Sequence, residues 1–304
     1  MVVDNKITFF GKTDGISVEQ LIRYGKFNMK VKHFHNQYEI FYIIEGQRQF
    51  FLNNKVYDAF AGDIAVIDTN LVHTTRSVGD EDSGYNRVIL YIDYERMCMY
   101  DDKYPDLHLV DFFHKNYGVY HLDDEQRAIF LNLYRDLRHE LTKKKYGYKT
   151  RIEINVLHWL INFMNIKSDK SNLAPPINDV KGEIASKTAA YIENNFTSNV
   201  SLDTLSEKMY LSKYYICRVF KEYTGFTVIE YTNMIRIKKA AQMLENTNES
   251  ISDIATDLGY ESMTYFERVF KKILNVSPLK YRKTHHSVTY GEKELNILDD
   301  SDYI

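Results

Sequence analysis

Apolar residues fall into three patterns along this chain. Between residues 27 and 93, short runs of Phe, Tyr, Ile and Val are broken at Gly46, Asn53-Asn54, Gly62 and Asn70. That is the pattern of antiparallel strands separated by turns. Asn53-Asn54 stands between Gln49-Phe50-Phe51-Leu52 and Lys55-Val56-Tyr57, and because asparagine tolerates positive φ the pair predicts a two-residue hairpin. Many short strands at this spacing imply a barrel or a sandwich. From Asp123 the period lengthens, with Ile129, Phe130, Leu133, Leu137 and Leu141 recurring at helical intervals among charged residues. This predicts an amphipathic helix with one face to bury. A second helix over 151–165 is apolar on more than one face through Val156, Leu157, Trp159, Leu160, Ile161, Phe163 and Met164, so it should be largely enclosed. Lys167 to Lys181 then turns polar and carries Pro175-Pro176, residues that build no core and block a helix, which marks a flexible interdomain linker.

The third pattern is a repeat. Ser212-Lys-Tyr-Tyr-Ile-Cys-Arg-Val-Phe-Lys221 returns fifty residues later as Ser262-Met-Thr-Tyr-Phe-Glu-Arg-Val-Phe-Lys271, with six of ten positions identical. Leu202, Leu205 and Ser206 are answered by Ile251, Ile254 and Ala255, and Tyr231 by Tyr281. Each copy reads as a short helix, a turn and a second helix, the arrangement that lays one helix in the DNA major groove. In the first copy Tyr215, Ile216, Val219 and Phe220 share the face to be buried, leaving Ser212, Lys213, Tyr214, Cys217, Arg218 and Lys221 toward DNA. In the second, Tyr265, Phe266, Val269 and Phe270 turn inward and Ser262, Met263, Thr264, Glu267, Arg268 and Lys271 turn outward. Arginine can fork onto guanine O6 and N7, and glutamate can accept from a cytosine amino group. Ser212 and Ser262 begin their helices, where a hydroxyl and free backbone N–H groups suit a phosphate. Lys221 and Lys271 add charge contacts. Cys217 and Met263 serve equally well as groove contacts or as packing, and Glu267 could instead pair with a neighbouring lysine.

Composition narrows the class. At 304 residues, 44% hydrophobic and 27% charged with four prolines, the chain is long enough for two cores and is not disordered. Cys98 and Cys217 have no CxxC partner, which excludes a disulfide framework and a cysteine-rich zinc site and fits a reducing compartment. No basic stretch followed by a long apolar run opens the sequence, and no run reaches ~18 apolar residues, so the expectation is a cytoplasmic protein without a membrane span. The net charge of −3 conceals a split: residues 183–284 hold fourteen Lys or Arg against twelve Asp or Glu, a balance of +2, whereas 285–304 hold five acids and one lysine. A local basic face is therefore compatible with the total.

Residues 183–284 resemble the DNA-binding region of the AraC/XylS family of bacterial transcription regulators. The resemblance rests above all on Ile254-Ala-Thr-Asp-Leu-Gly-Tyr-Glu-Ser-Met-Thr-Tyr-Phe-Glu-Arg-Val-Phe-Lys271 followed by Val276-Ser-Pro-Leu-Lys-Tyr-Arg282. The first motif departs from the pattern, with Ser206 where alanine is usual and Tyr210 where glycine often stands. In the N-terminal half, His33-x-His35-x3-Glu39-x6-Gly46 and the stretch from Gly62 to His73 resemble the two short motifs of the cupin barrel. In metal-dependent cupins the positions matching His33, His35, Glu39 and His73 hold a divalent metal. Sensor domains of the regulator family commonly keep this pattern without using one.

These resemblances imply an α+β two-domain protein: a cupin-like antiparallel β-barrel with helices, then an all-α double helix-turn-helix domain. The expected divisions are a ligand-sensing barrel over 1–118, a helical dimerisation segment over 119–166, a linker over 167–182, the DNA-binding domain over 183–284 and an acidic tail over 285–304. The expected partners are double-stranded DNA, a small effector of the sugar type, a second copy of the chain and RNA polymerase. The effector would meet His33, His35, Tyr38, Glu39, Tyr42 and His73, with Tyr57, Tyr91, Arg48 and Lys55 as further candidates. No cofactor is required and no catalysis expected. The rival readings are a metal-dependent cupin enzyme fused to a DNA-binding domain, and a constitutive DNA-binding protein whose barrel only dimerises.

Overall fold

The computed structural model describes residues 4–25, 36–69, 71–78, 84–168, 172–177, 179–198 and 200–285. His33, His35, Asn70 and the acidic residues of the tail lie outside the described residues. The N-terminal strands are β1 (Asp4–Thr13), β2 (Ile16–Tyr24), β3 (Gln37–Glu45), β4 (Gln47–Leu52), β5 (Lys55–Phe60), β6 (Asp63–Ile67), β7 (His73–Ser77), β8 (Tyr85–Asp93) and β9 (Gly118–His121). They form a six-stranded sheet in the order β1-β2-β8-β3-β6-β9 and a three-stranded sheet in the order β5-β4-β7, every pairing antiparallel. The hairpin at Asn53-Asn54 is present: Leu52 pairs with Lys55, and Asn53 adopts φ 56°.

Alternation along the strands divides the large sheet into two faces. Tyr38, Ile40 and Tyr42 of β3, Ile64 and Val66 of β6, and Val88, Leu90 and Ile92 of β8 belong to one core. Phe41 and Ile43, Ala65 and Ile67, and Tyr85 and Ile89 belong to the other, together with Phe50, Leu52 and Tyr57 from the small sheet. The second core therefore fills the space between the sheets. The first is roofed by α1 (Tyr94–Lys103), α2 (Leu109–Lys115), α3 (Asp124–Lys143) and α4 (Tyr148–Ser168).

Helix α3 opens on a capping box, in which the Asp123 side chain accepts from the Gln126 N–H while the Gln126 side chain accepts from the Asp123 N–H. Its buried stripe is Phe130, Leu133, Leu137 and Leu141, each worth about 1.5–3 kcal/mol of burial. That stripe packs into the protein's own sheet-and-helix core, so it is not available to pair with a second copy of α3. Helix α4 supplies Trp159, stacked on Phe163 at 5.3 Å and edge-on to Phe130 at 5.6 Å.

The sequence-based divisions shift at two places. A sensor boundary at 118 would cut off β9, whose Val119 pairs with Ala65 of β6. The described part of the linker is also tied down. Leu173 bridges Tyr120, Ala174 N–H donates to the Val119 carbonyl at 2.8 Å, and Ile177 N–H donates to the Val56 carbonyl at 2.7 Å. The edge of β9 offers unused backbone groups, and the passing chain takes them up.

The C-terminal helices are α5 (Val180–Asn195), α6 (Leu202–Met209), α7 (Lys213–Thr224), α8 (Val228–Asn246), α9 (Ile251–Asp257), α10 (Met263–Leu274) and α11 (Pro278–His285). Two compact units result: residues up to Asn194 together with Ser201–Tyr231, and Asn195–Val200 together with the residues from Thr232 onward. The first helix-turn-helix motif thus belongs to the same unit as the sheets, and the second motif forms its own.

Candidate nucleic-acid interface and sensor site

In the first motif the α6–α7 pair is joined by a turn through Tyr210, which caps α6 in the left-handed region at φ 55° and is 94% exposed. A bulky residue pays a steric cost there that glycine does not. Ser206 offsets it locally, since its hydroxyl donates to the Leu211 carbonyl at 2.6 Å and its own carbonyl accepts from the Leu211 N–H at 3.2 Å. We expect Tyr210→Gly to stabilise the protein by up to about 1 kcal/mol, read as a rise in denaturant midpoint; a fall would show that the tyrosine ring itself is needed.

Ser212 is the N-cap of α7 and accepts from the Tyr215 N–H at 3.3 Å, a cap typically worth about 1 kcal/mol. The hydroxyl proton stays available to a phosphate. Ile216, Val219 and Phe220 are buried, whereas Lys213, Tyr214, Arg218 and Lys221 are exposed and Cys217 is half-buried. Burial raises the Cys217 thiol above its usual range, which keeps it protonated and suits packing better than reactivity. Lys213 forms an ion pair with Asp203 of α6.

The second motif repeats this construction. Ser250 caps α9 and Ser262 caps α10, accepting from the Asp253 and Tyr265 N–H groups at 3.0 and 3.3 Å. Phe266, Val269 and Phe270 are buried; Thr264, Glu267, Arg268 and Lys271 are exposed and Met263 is half-buried. The turn after α9 uses Gly259 at φ +79°.

Tyr215 and Tyr265 were expected inside. Tyr215 is half-buried and Tyr265 36% exposed, and each supports the arginine three residues on: Arg218 Cζ lies 5.3 Å from the Tyr215 ring centroid and Arg268 Cζ 5.2 Å from that of Tyr265. One helical turn brings i and i+3 together, and a ring under a guanidinium holds it by cation–π attraction while its outer edge stays open. The Tyr-x-x-Arg spacing, present in both copies, was the sequence signal for this support. Two independent helices therefore each display an arginine preorganised for forked hydrogen bonding to a planar acceptor pair.

The proposed effector contacts separate in the structure. Tyr38 and Tyr42 face the helical roof, where Tyr38 meets Phe113 at 5.7 Å and Tyr42 stacks on Phe130 at 4.9 Å. Contrary to the expectation from the sequence, Tyr38 and Tyr42 share no pocket with Glu39, because residues 38 and 42 have the opposite strand parity to 39. Glu39 and His73 do come together, His73 Nε2 lying 3.4 Å from Glu39 Oε2 with both side chains buried. Burial works against the imidazolium, but Glu39 and the Leu71 carbonyl outweigh it and raise the His73 pKa above its ordinary value. Among the described residues, no group of three or more His, Cys, Asp or Glu side chains could hold a metal ion. His33 and His35 lie outside those residues.

Two arginines are buried in the sheets. Arg48 is fully buried in the small sheet, donating from Nε to Thr75 Oγ1 at 2.9 Å and from Nη1 to Ser77 Oγ at 2.8 Å, with Cζ 4.3 Å from the Tyr85 ring centroid. Burial pushes its guanidinium down to about 10. Arg87 Nη2 donates to Glu19 at 2.6 Å and its Cζ lies 5.4 Å from the Phe41 ring centroid.

Comparison with known proteins covers both halves. Residues 22–150 match the model of an AraC-like ligand binding domain, and residues 205–284 match that of a helix-turn-helix domain. The chain is 38% identical over 84 residues to the probable transcription factor PqrA of Proteus vulgaris, covering 28% of this chain and 69% of that protein. It is 32% identical over 107 residues to the helix-turn-helix-type transcriptional regulator YisR of Bacillus subtilis, covering 35% of this chain and 37% of that protein. The helix-turn-helix-type regulator SACOL0084 of Staphylococcus aureus is 28% identical over 287 residues, covering 88% of this chain and 35% of that protein. The chain thus spans little more than a third of the length of YisR and of SACOL0084.

Proposed function

This chain belongs to the AraC family of helix-turn-helix regulators, and on that premise we propose that it is a cytoplasmic transcription regulator. It binds duplex DNA through α7 and α10 and is governed by a small effector, a sugar or related metabolite, taken up by its sensor half. The observation that carries the DNA reading is the repeated arginine over tyrosine on each second helix, since exposed arginines with no shared purpose would not be braced twice in the same way. The effector reading draws on the match of residues 22–150 to a ligand-binding domain and on the buried polar groups Glu39, His73 and Arg48. We assign the protein no catalytic role and no obligatory metal. It acts as a homodimer that contacts RNA polymerase, through surfaces other than the apolar stripe of α3. Among the described residues no helix is long and apolar enough to cross a membrane.

The test has two arms. Selection from a random duplex library with the purified chain should yield a sequence bound about 10³-fold or more tighter than bulk DNA at the same salt. Binding that tracks ionic strength alone, with nothing enriched, would remove sequence-specific recognition. Melting the protein against a panel of sugars and small metabolites should expose the effector, because a ligand at a hundred times its dissociation constant adds ~2.7 kcal/mol of stability. No shift with any of them would count against a sugar-like effector.

A further inference from the structure

We propose that the three-stranded sheet is a relay, in which residues of β4 and β7 that face the space between the sheets alternate with residues that hold the first helix-turn-helix motif. The proposal deepens the sensor reading above and rests on it for the identity of the input. It follows from the pleat, because consecutive side chains of a strand point to opposite faces and a displaced strand carries both sets with it.

The inner set is Arg48, Phe50 and Leu52 on β4 with His73, Thr75 and Ser77 on β7. Phe50 and Leu52 belong to the core between the sheets, Arg48 ties β4 to β7 through Thr75 and Ser77, and His73 meets Glu39 of the large sheet. The outer set is Gln49 and Phe51 with Thr74 and Arg76. Phe51 is 1% exposed and meets the rings of Phe226 at 6.5 Å and Tyr231 at 5.7 Å. Arg76 donates to Gln49 Oε1 at 2.6 Å, and its Cζ lies 4.9 Å from the Tyr223 ring centroid at the end of α7. Thr74 stands in van der Waals reach of a Cβ built on Gly225.

The hairpin tip completes the hold. The Tyr231 hydroxyl lies 2.5 Å from Glu193 Oε1 and 3.0 Å from the Asn53 carbonyl oxygen, and Asn54 Nδ2 donates to Glu193 Oε2 at 3.3 Å. Tyr231 in turn packs on Phe220 of α7 at 5.6 Å. In this arrangement Lys213, Tyr214, Arg218 and Lys221 stay exposed. The sheet therefore sets where α7 is held without covering its DNA-facing side, and the regulated quantity is the placement of the first motif.

Hydrogen exchange on the full chain, with no effector or DNA present, tests this. Phe51→Ala, and Arg76→Met as a variant that keeps most of the packing, should speed exchange of the α7 amides by about tenfold or more while the strands of the large sheet keep their rates. Arg48→Met on the inner face, or Ser77→Ala as its milder counterpart, should also speed α7, and should add nothing further in the Phe51→Ala background. Unchanged α7 exchange in both outer-face variants would overturn the hold. Inner-face variants that leave α7 untouched, or that add their full effect on top of Phe51→Ala, would overturn the relay. A fruitless effector screen counts against the sensor reading alone, because no effector enters these measurements.

Discussion

Gly259→Ala is expected to lower the stability of the second helix-turn-helix unit by about 2 to 4 kcal/mol. Two causes act together. The residue sits at φ +79°, where a Cβ is strained, and that Cβ would press into the Thr197 carbonyl and lie 2.9 Å from Arg236 Nη2. The carbonyl is backbone and cannot swing aside. Arg236 is no easier to move, since its Nε donates to the Phe196 carbonyl at 2.7 Å and its Nη2 to that of Ser198 at 3.0 Å. Calorimetry should show the transition of this unit falling by more than about 8 °C. An unmoved transition would mean that the turn relaxes freely, which would contradict the tightness of the packing around it.

Arg268→Ala should weaken binding to a selected DNA site by about 1 to 3 kcal/mol and relax the choice of base at one position. Its stability should change little, because the side chain is exposed. Arg268→Lys separates two explanations: lysine keeps the charge but lacks the fork, so a base-reading role predicts lost specificity with much of the salt-dependent affinity retained. Tyr265→Ala should cost less, about 0.5 to 1 kcal/mol, and leave the preferred base unchanged, since it removes the support and not the reader. Competition binding against single-base variants of the site measures all three. Equal losses on every sequence for Arg268→Ala would reassign that arginine to the phosphate backbone.

The parts of this fold that were legible in the sequence are those fixed by local periodicity. The Asn53-Asn54 hairpin, helices α3 and α4, and both helix-turn-helix motifs lie where spacing and capping residues place them. Strands β1 and β2 were not foreseen; β1 exposes Ile7 and Phe10 and carries a register shift between Ile7 and Phe9, which breaks the alternation that marks a strand. The short helices α1 and α2 offered too few turns to show a period. For the sensor site the information was present in part. Strand parity separates Tyr38 and Tyr42 from Glu39, whereas the meeting of Glu39 with His73 depends on how two sheets face each other. The stripe of α3 illustrates a different limit: an apolar face looks the same whether its own sheet or a second copy will cover it. Tyr210 in place of glycine reads as a departure in the turn, and only the folded turn shows that Ser206, the other departure, fastens it.

The strap formed by Ala174 and Ile177 on the sheets bears on how such a protein could be taken apart or recombined. By composition, the proline pair at 175 and 176 invites a cut between an exchangeable sensor and an exchangeable DNA reader. The backbone bonds of the residues on either side say otherwise: Ala174 closes the edge at β9 and Ile177 is fastened to β5. A sensor excised at that seam would keep Ala174 on β9 but lose Ile177 from the edge strand β5, leaving that edge a template for pairing between molecules, and a graft made there would have to supply its own cover. The transferable module of this protein is therefore larger than its sensor, and its natural boundary lies inside the DNA-binding half.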